Sequence, residues 1–261
     1  MLPSILVAAP LVLLGLAARP RAEHPAPDPR AVELAASVME ALGGQAAWDN
    51  TRYLRFDFAV EREGRKLVRS HTWDKWQGRY RLESVTPEGK PAVVLMNLHD
   101  REGDAWVDGQ QLAGEEEKKA LERAFGAWTN DTYWLLMPYK LRDPGVLLAA
   151  AGEETSEVGT WDKLHLRFEN VGLTPKDQYW VYVNRSTRLV DRWDFVLKGE
   201  DVPPTTFLWK GWKRVGNVML ASERENAKDG RMITFPVLEA PASLPDSVFE
   251  SPTPVPPAPE P

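Results

Sequence analysis

Side chains able to do acid–base, nucleophilic or metal chemistry are scattered in this 261-residue sequence. There are four histidines, His24, His71, His99 and His165. None stands at the His-x-Glu or His-Glu-x-x-His spacing that brings ligands to one metal ion. Ser70 adjoins His71, but neighbours on a strand point to opposite faces, so adjacency does not make a nucleophile and its base. No Gly-x-Ser-x-Gly elbow occurs. Gly43-Gly44 lacks the strand-to-helix context of a phosphate loop. Cysteine is absent, which excludes disulfides, thiolate ligands, a cysteine nucleophile and a lipidated cysteine. His71 and His165 read most simply as facing solvent or a polar rim. Asp57 and Glu61 are carboxylates that a concavity could use for hydrolysis, though spacing alone does not identify such a pair. Asp191 and Asp194 read as ion partners of Arg188 or Arg192. The expectation is therefore no cofactor, no metal and no catalytic residue.

The distinctive chemistry is apolar. Eleven tryptophans supply much buried area, and each indole N–H wants a partner. The densest stretch is 128–145, WTNDTYWLLMPYKLRDPG. Asn130 and Asp131 read as helix caps, Pro138 ends regular helix, and Asp143-Pro144-Gly145 reads as a turn. The stretch thus predicts a short helical plug of about two turns. Such a plug must lie on something apolar, and the late strands offer it: Trp193 and Phe195 on one strand face, Phe207 and Trp209 on another. The candidate ligand-contacting residues are Trp134, Met137, Leu141, Trp193, Phe195, Phe207 and Trp209. They either line a cavity or fill a core, and the sequence leaves both open.

The elements that hold these residues follow from periodicity. Residues 1–22 read as a secretory signal peptide, or a short anchor, because an apolar run ends in small residues. A Pro-rich linker, 23–29, follows. Residues 30–42 carry Val32, Ala35, Ala36, Met39 and Leu42 at helical spacing. Residues 53–61 alternate, with Leu54, Phe56, Phe58 and Val60 on one face. Turn signals then separate strands over 67–76, 80–85, 91–98 and 104–107, a meander of hairpins. A second helix is expected over 113–128, and 146–151 leads out of the plug. Further strands are expected at 155–158, 164–169, 178–184, 189–197, 205–213, 218–226 and 231–238. No helix pattern intervenes among them, so the sheet is antiparallel. One domain spans 30–251, and 252–261 is a Pro-rich tail expected to be disordered. Net charge is −6, which argues against a general nucleic-acid binder.

The run 134–145 (WLLMPYKLRDPG), the N-terminal helix before the first strand, the interrupted meander and the closing 245–252 (PDSVFESP) together resemble the periplasmic lipoprotein-carrier superfamily, the Lol-type outer-membrane lipoprotein-sorting proteins, and an uncharacterised bacterial branch of it. The resemblance implies an unclosed half β-barrel with a helical lid, here the plug and the first helix. It implies an apolar concavity for a lipid or a lipoprotein acyl chain, a periplasmic or secreted location, and a monomer that exchanges cargo with envelope transport machinery. The arginine that gates acyl chains in that family has no recognisable counterpart in this sequence. Two alternatives stay open: a non-catalytic structural or partner-binding envelope module, and a hydrolase using Asp57 or Glu61.

Overall fold

The structure is a computed structural model that describes residues 28–62, 64–169, 174–253 and 255. The expected signal segment, most of the linker and most of the tail lie outside the described residues. Helices α1 (Pro29–Ala41) and α2 (Gln45–Asn50) come first. The first strands are β1 (Tyr53–Arg62), β2 (Arg65–Asp74), β3 (Arg79–Val85), β4 (Pro91–Asn97), β5 (Gly103–Val107) and the short β6 (Gln110–Gln111). Helix α3 (Glu115–Leu136) follows and runs into a 3-10 turn (Met137–Lys140). Then come β7 (Val146–Ser156), β8 (Gly159–Phe168), β9 (Gln178–Asn184), β10 (Val190–Val196), β11 (Thr205–Val215), β12 (Val218–Asn226), β13 (Met232–Thr234), β14 (Leu238–Glu239) and α4 (Ser247–Glu250).

Among the described residues all the strands join one 14-stranded sheet, in the order β6-β5-β4-β3-β2-β1-β13-β12-β11-β10-β9-β8-β7, with β14 also on β1. Every pairing is antiparallel, and neither β6 nor β7 meets the other to close a barrel. The expected half-barrel with a helical lid is the observed fold. In β1, Leu54, Phe56 and Phe58 point inward and are buried. Their cross-strand partners are Trp73, His71 and Arg69. Directly opposed residues share a face, so His71 and Arg69 also point inward.

Helix α1 starts on Asp28, whose carboxylate accepts the N–H groups of Arg30 (3.0 Å) and Ala31 (3.5 Å), with Pro29 in the first turn, where its missing N–H costs nothing. The same carboxylate accepts the Ala150 N–H of β7 at 2.7 Å, tying the helix to the sheet's last strand. Its buried face is Ala31, Ala35, Val38 and Leu42. That is rotated from the expected stripe: Val32, Ala36 and Met39 sit at the flank, half-buried. Gly43 then turns the chain at φ 116°, where a Cβ would stand 2.5 Å from the Asn217 carbonyl. Only glycine allows that approach, and it lets Leu42 O accept the Met219 N–H at 2.9 Å.

The expected pair of helices, 113–128 and a separate plug, is one continuous 22-residue helix. Thr129 and Thr132 return their hydroxyls to the carbonyls of Phe125 and Trp128, and Asp131 is drawn into the core rather than capping a new helix. Nothing therefore breaks the helix before Pro138. The segment 146–151, expected as a connector, is the first half of β7. Arg188 pairs with Asp162 rather than with Asp191; Asp191 accepts from Trp161 Nε1 and Asn184. Asp194 does lie near Arg192, at 3.7 Å.

Helix α3 spans two hydrophobic cores. Ala120 and Ala124 pack with Tyr80, Leu82, Val94, Met96 and Ala105 of β3–β5. Leu135 and Leu136 join the larger core made by α1 and strands β1 and β8–β12. On the opposite face of β3, the C-terminal segment is strapped down. Arg81, 1% exposed, donates to the carbonyls of Val248, Ser251 and Thr253. Val248 and Phe249 pack with Tyr53.

Candidate ligand-binding cleft

Between the C-terminal half of α3 and the edge of the sheet lies a cleft of about 460 Å³. Trp128, Tyr133 and Trp134 of α3 form one wall; Val146, Phe168, Tyr179, Trp193 and Phe195 of β7–β10 form the other. Asn130, Lys140, Asp143, Thr174 and Asp177 add polar groups around it, and Leu197, 43% exposed, lies at the rim. The aromatic rings meet mostly edge to face. Trp134 stands 4.8 Å from Trp193, 4.9 Å from Phe207 and 5.9 Å from Phe195. Tyr133 meets Tyr179 at 5.4 Å. Such a wall is large, stiff and apolar, which suits an apolar guest fixed by few polar contacts.

The helix that carries this wall is pinned from below by a buried polar chain. Asp131 is fully buried and takes a two-pronged contact from Arg69, 2.6 and 2.7 Å. It also bonds His71 Nε2 at 3.0 Å, while His71 Nδ1 meets the Tyr80 hydroxyl at 2.7 Å. The arrangement is satisfied throughout when Nε2–H donates to Asp131 and Tyr80 donates to Nδ1. Burial disfavours the charged imidazole and lowers the His71 pKa against the opposing pull of Asp131. Burial alone raises the Asp131 pKa, but the bonds from His71 and Arg69 outweigh it and hold the carboxyl below its ordinary range. His71 is thus neutral and fully buried, not at solvent or a rim as expected, and it stacks on Phe56 at 4.4 Å. His165 is half-buried, bonded to Gln178 and stacked on Trp180.

A second cation sits deeper. Arg224 of β12 is fully buried with no carboxylate partner among the described residues. Its Nε donates to the Trp134 carbonyl at 3.0 Å, and its Nη1 donates to the Ala221 and Glu223 carbonyls. The guanidinium lies 3.4 Å over Trp209, and burial pulls its pKa well below the usual arginine value. The sequence reading named no role for Arg224 and placed His71 at solvent or a polar rim. Strand parity was the available signal, since 218, 220 and 224 all face inward on β12.

The structure brings Trp134, Trp193 and Phe195 together as cleft wall. Phe207 and Trp209 stand one layer behind, against Trp134 and Trp193. Met137 and Leu141 are buried in the main core; Leu141 borders a different opening, beside α1. Asp57 and Glu61 lie on β1's outward side, Asp57 half-buried and Glu61 exposed, so the carboxylates suggested for hydrolysis do not face the cleft. Among the described residues no group of His, Asp and Glu is placed to hold a metal ion.

No family model matches the chain, and no curated protein does. A crystal structure of a DUF1329 family protein from Desulfovibrio piger is similar at 16% identity and a TM-score of 0.49, covering 86% of this chain and 98% of that one. A putative outer membrane lipoprotein-sorting protein domain from Vibrio parahaemolyticus is similar at 8% identity and a TM-score of 0.47, covering 84% and 96%.

Proposed function

We propose that this protein is exported to the cell envelope and there binds and carries a lipid, or the acyl chain of a lipoprotein, in the cleft between α3 and β7–β10. The observation that carries this reading is the cleft itself: about 460 Å³ of space walled by Tyr133, Trp134, Phe168, Tyr179, Trp193 and Phe195. Burying a methylene stabilises by about 0.8 kcal/mol, so ten methylenes supply on the order of 8 kcal/mol before ordering costs. That is enough for reversible carriage without any covalent step. Trp134, Trp193 and Phe195 contact the ligand. Phe207 and Trp209 back them, and Met137 and Leu141 seat the lid.

The leader-like residues 1–22 support export, with the mature domain at 30–251 acting as a monomer that exchanges cargo with other envelope proteins. Among the described residues no helix is long and apolar enough to cross a membrane. No residue is assigned to catalysis. The test is mass spectrometry of an organic extract of gently purified protein, paired with its native mass. A stoichiometric lipid supports carriage. Protein that emerges empty, and stays empty when offered fatty acids and phospholipids, points instead to a structural envelope module.

A further inference from the structure

Across the 137–143 segment from the apolar cleft lies a second opening of similar size, about 460 Å³. Asp143 borders both, so the two are neighbouring chambers divided by the 3-10 turn and the bend after it. The second chamber is lined differently. Its aromatic surface is Trp48 of α2 stacked on Tyr139 at 4.5 Å. Ala36 of α1 is too small to fill the space between. Glu40 of α1 and Arg142 of the bend line the same chamber from different elements. Both are exposed, and neither has an ion partner among the described residues. Asp143, by contrast, is already paired with Lys140 at 2.9 Å.

One free anion and one free cation around a partly aromatic chamber, beside an apolar cleft, fit a ligand built the same way. We propose that the ligand is a zwitterionic phospholipid whose acyl chain lies in the cleft and whose phosphate–amine headgroup lies in the α1–α2 chamber. Arg142 receives the phosphate. Glu40 receives the ammonium; the Trp48 ring is already taken, by Tyr139 stacked at 4.5 Å and by Lys75 Nζ at 3.4 Å. This rests on the carrier reading above and adds the headgroup to it.

The experiment is calorimetric titration of the full protein, below micelle concentration, with short-chain phosphatidylethanolamine, phosphatidylglycerol and diacylglycerol of identical chains, and with free phosphoethanolamine. Phosphatidylethanolamine is expected to bind about fivefold more tightly than either other lipid, the modest gain of exposed charge contacts. Glu40→Gln should remove its advantage over phosphatidylglycerol. Arg142→Gln should bring phosphatidylglycerol down to diacylglycerol and weaken phosphatidylethanolamine. The double exchange Glu40→Arg with Arg142→Glu should keep part of the preference for the zwitterion. Equal affinity for phosphatidylethanolamine and diacylglycerol overturns the headgroup site and leaves the carrier reading standing. Free phosphoethanolamine binding as tightly as the lipid overturns it too, since the chamber would then serve a soluble solute. If none of the lipids binds, the carrier reading falls and this inference with it.

Discussion

The two halves of α3 lie on the same sheet with opposite results. Toward its N-terminus the helix presents Ala120 and Ala124, and β3–β5 rise to meet it until both alanines are buried. Toward its C-terminus it presents Trp128, Tyr133 and Trp134, and the cleft opens there. Small side chains at a contact let backbones approach, whereas bulky ones set the separation by their own size and leave irregular space. The C-terminal half also has two kinds of polar group. Beneath the helix, the Asp131–His71–Tyr80 chain is fully bonded. In and behind the cleft wall, Trp128 Nε1, the Tyr133 hydroxyl, Trp193 Nε1 and Trp209 Nε1 are buried without a partner among the described residues. The helix packs closely on the sheet at one end and stands off it at the other.

Removing the clamp beneath the C-terminal half tests this most severely. Asp131→Ala strands a buried histidine beside Arg69 and should cost about 3–5 kcal/mol, read by urea denaturation. A loss under about 1 kcal/mol would mean that the helix is held by packing alone. The next largest effect is on the tight half: Ala124→Leu should destabilise by about 1–3 kcal/mol through overpacking. The matching change in the loose half, Val146→Phe, should leave the melting temperature nearly unchanged while displacing bound lipid. Equal destabilisation by the two would erase the contrast. Trp134→Ala should weaken lipid binding about tenfold, or about 1.4 kcal/mol, with a smaller loss of stability. Matching losses of both would make Trp134 ordinary core.

The smallest effect is on pH. The folded state holds the His71 pKa below its unfolded value near 6.5, so the unfolded chain takes up more protons and stability falls as pH drops below about 6.5. Asp131, also lowered, adds a loss in the same direction below about pH 4. The melting temperature should decline from pH 7 to 5, and His71→Gln should flatten that decline.

Hairpins and strands were legible wherever local pattern decides. Residues 178–184 and 218–226 are strands with the boundaries expected from alternation and turn residues. The same pattern argument failed where a distant partner decides. Asn130-Asp131 looks like a cap until Arg69, 62 positions away, claims the carboxylate. Residues 146–151, rich in leucine and alanine, extend only because β8 pairs with them. His71 faces inward because Phe56 is its cross-strand partner, and register is not written in β2 itself. The late aromatics announced an apolar interior, but which of them face open space depends on how far α3 stands off the sheet. That depends in turn on Ala120 and Ala124, which look unremarkable in sequence.

One strand joins the beginning of this sheet to its end. β1 pairs with β2 along one side, while its other side waits for β13 and β14, as in the Ala59–Thr234 pairing. Some 170 residues must emerge and find order before that side is covered, so the loop to be closed is long and its closure comes late. Until then β1 offers an unpaired edge to any chain nearby. A protein wired in this way stays unlocked until β13 and β14 are available.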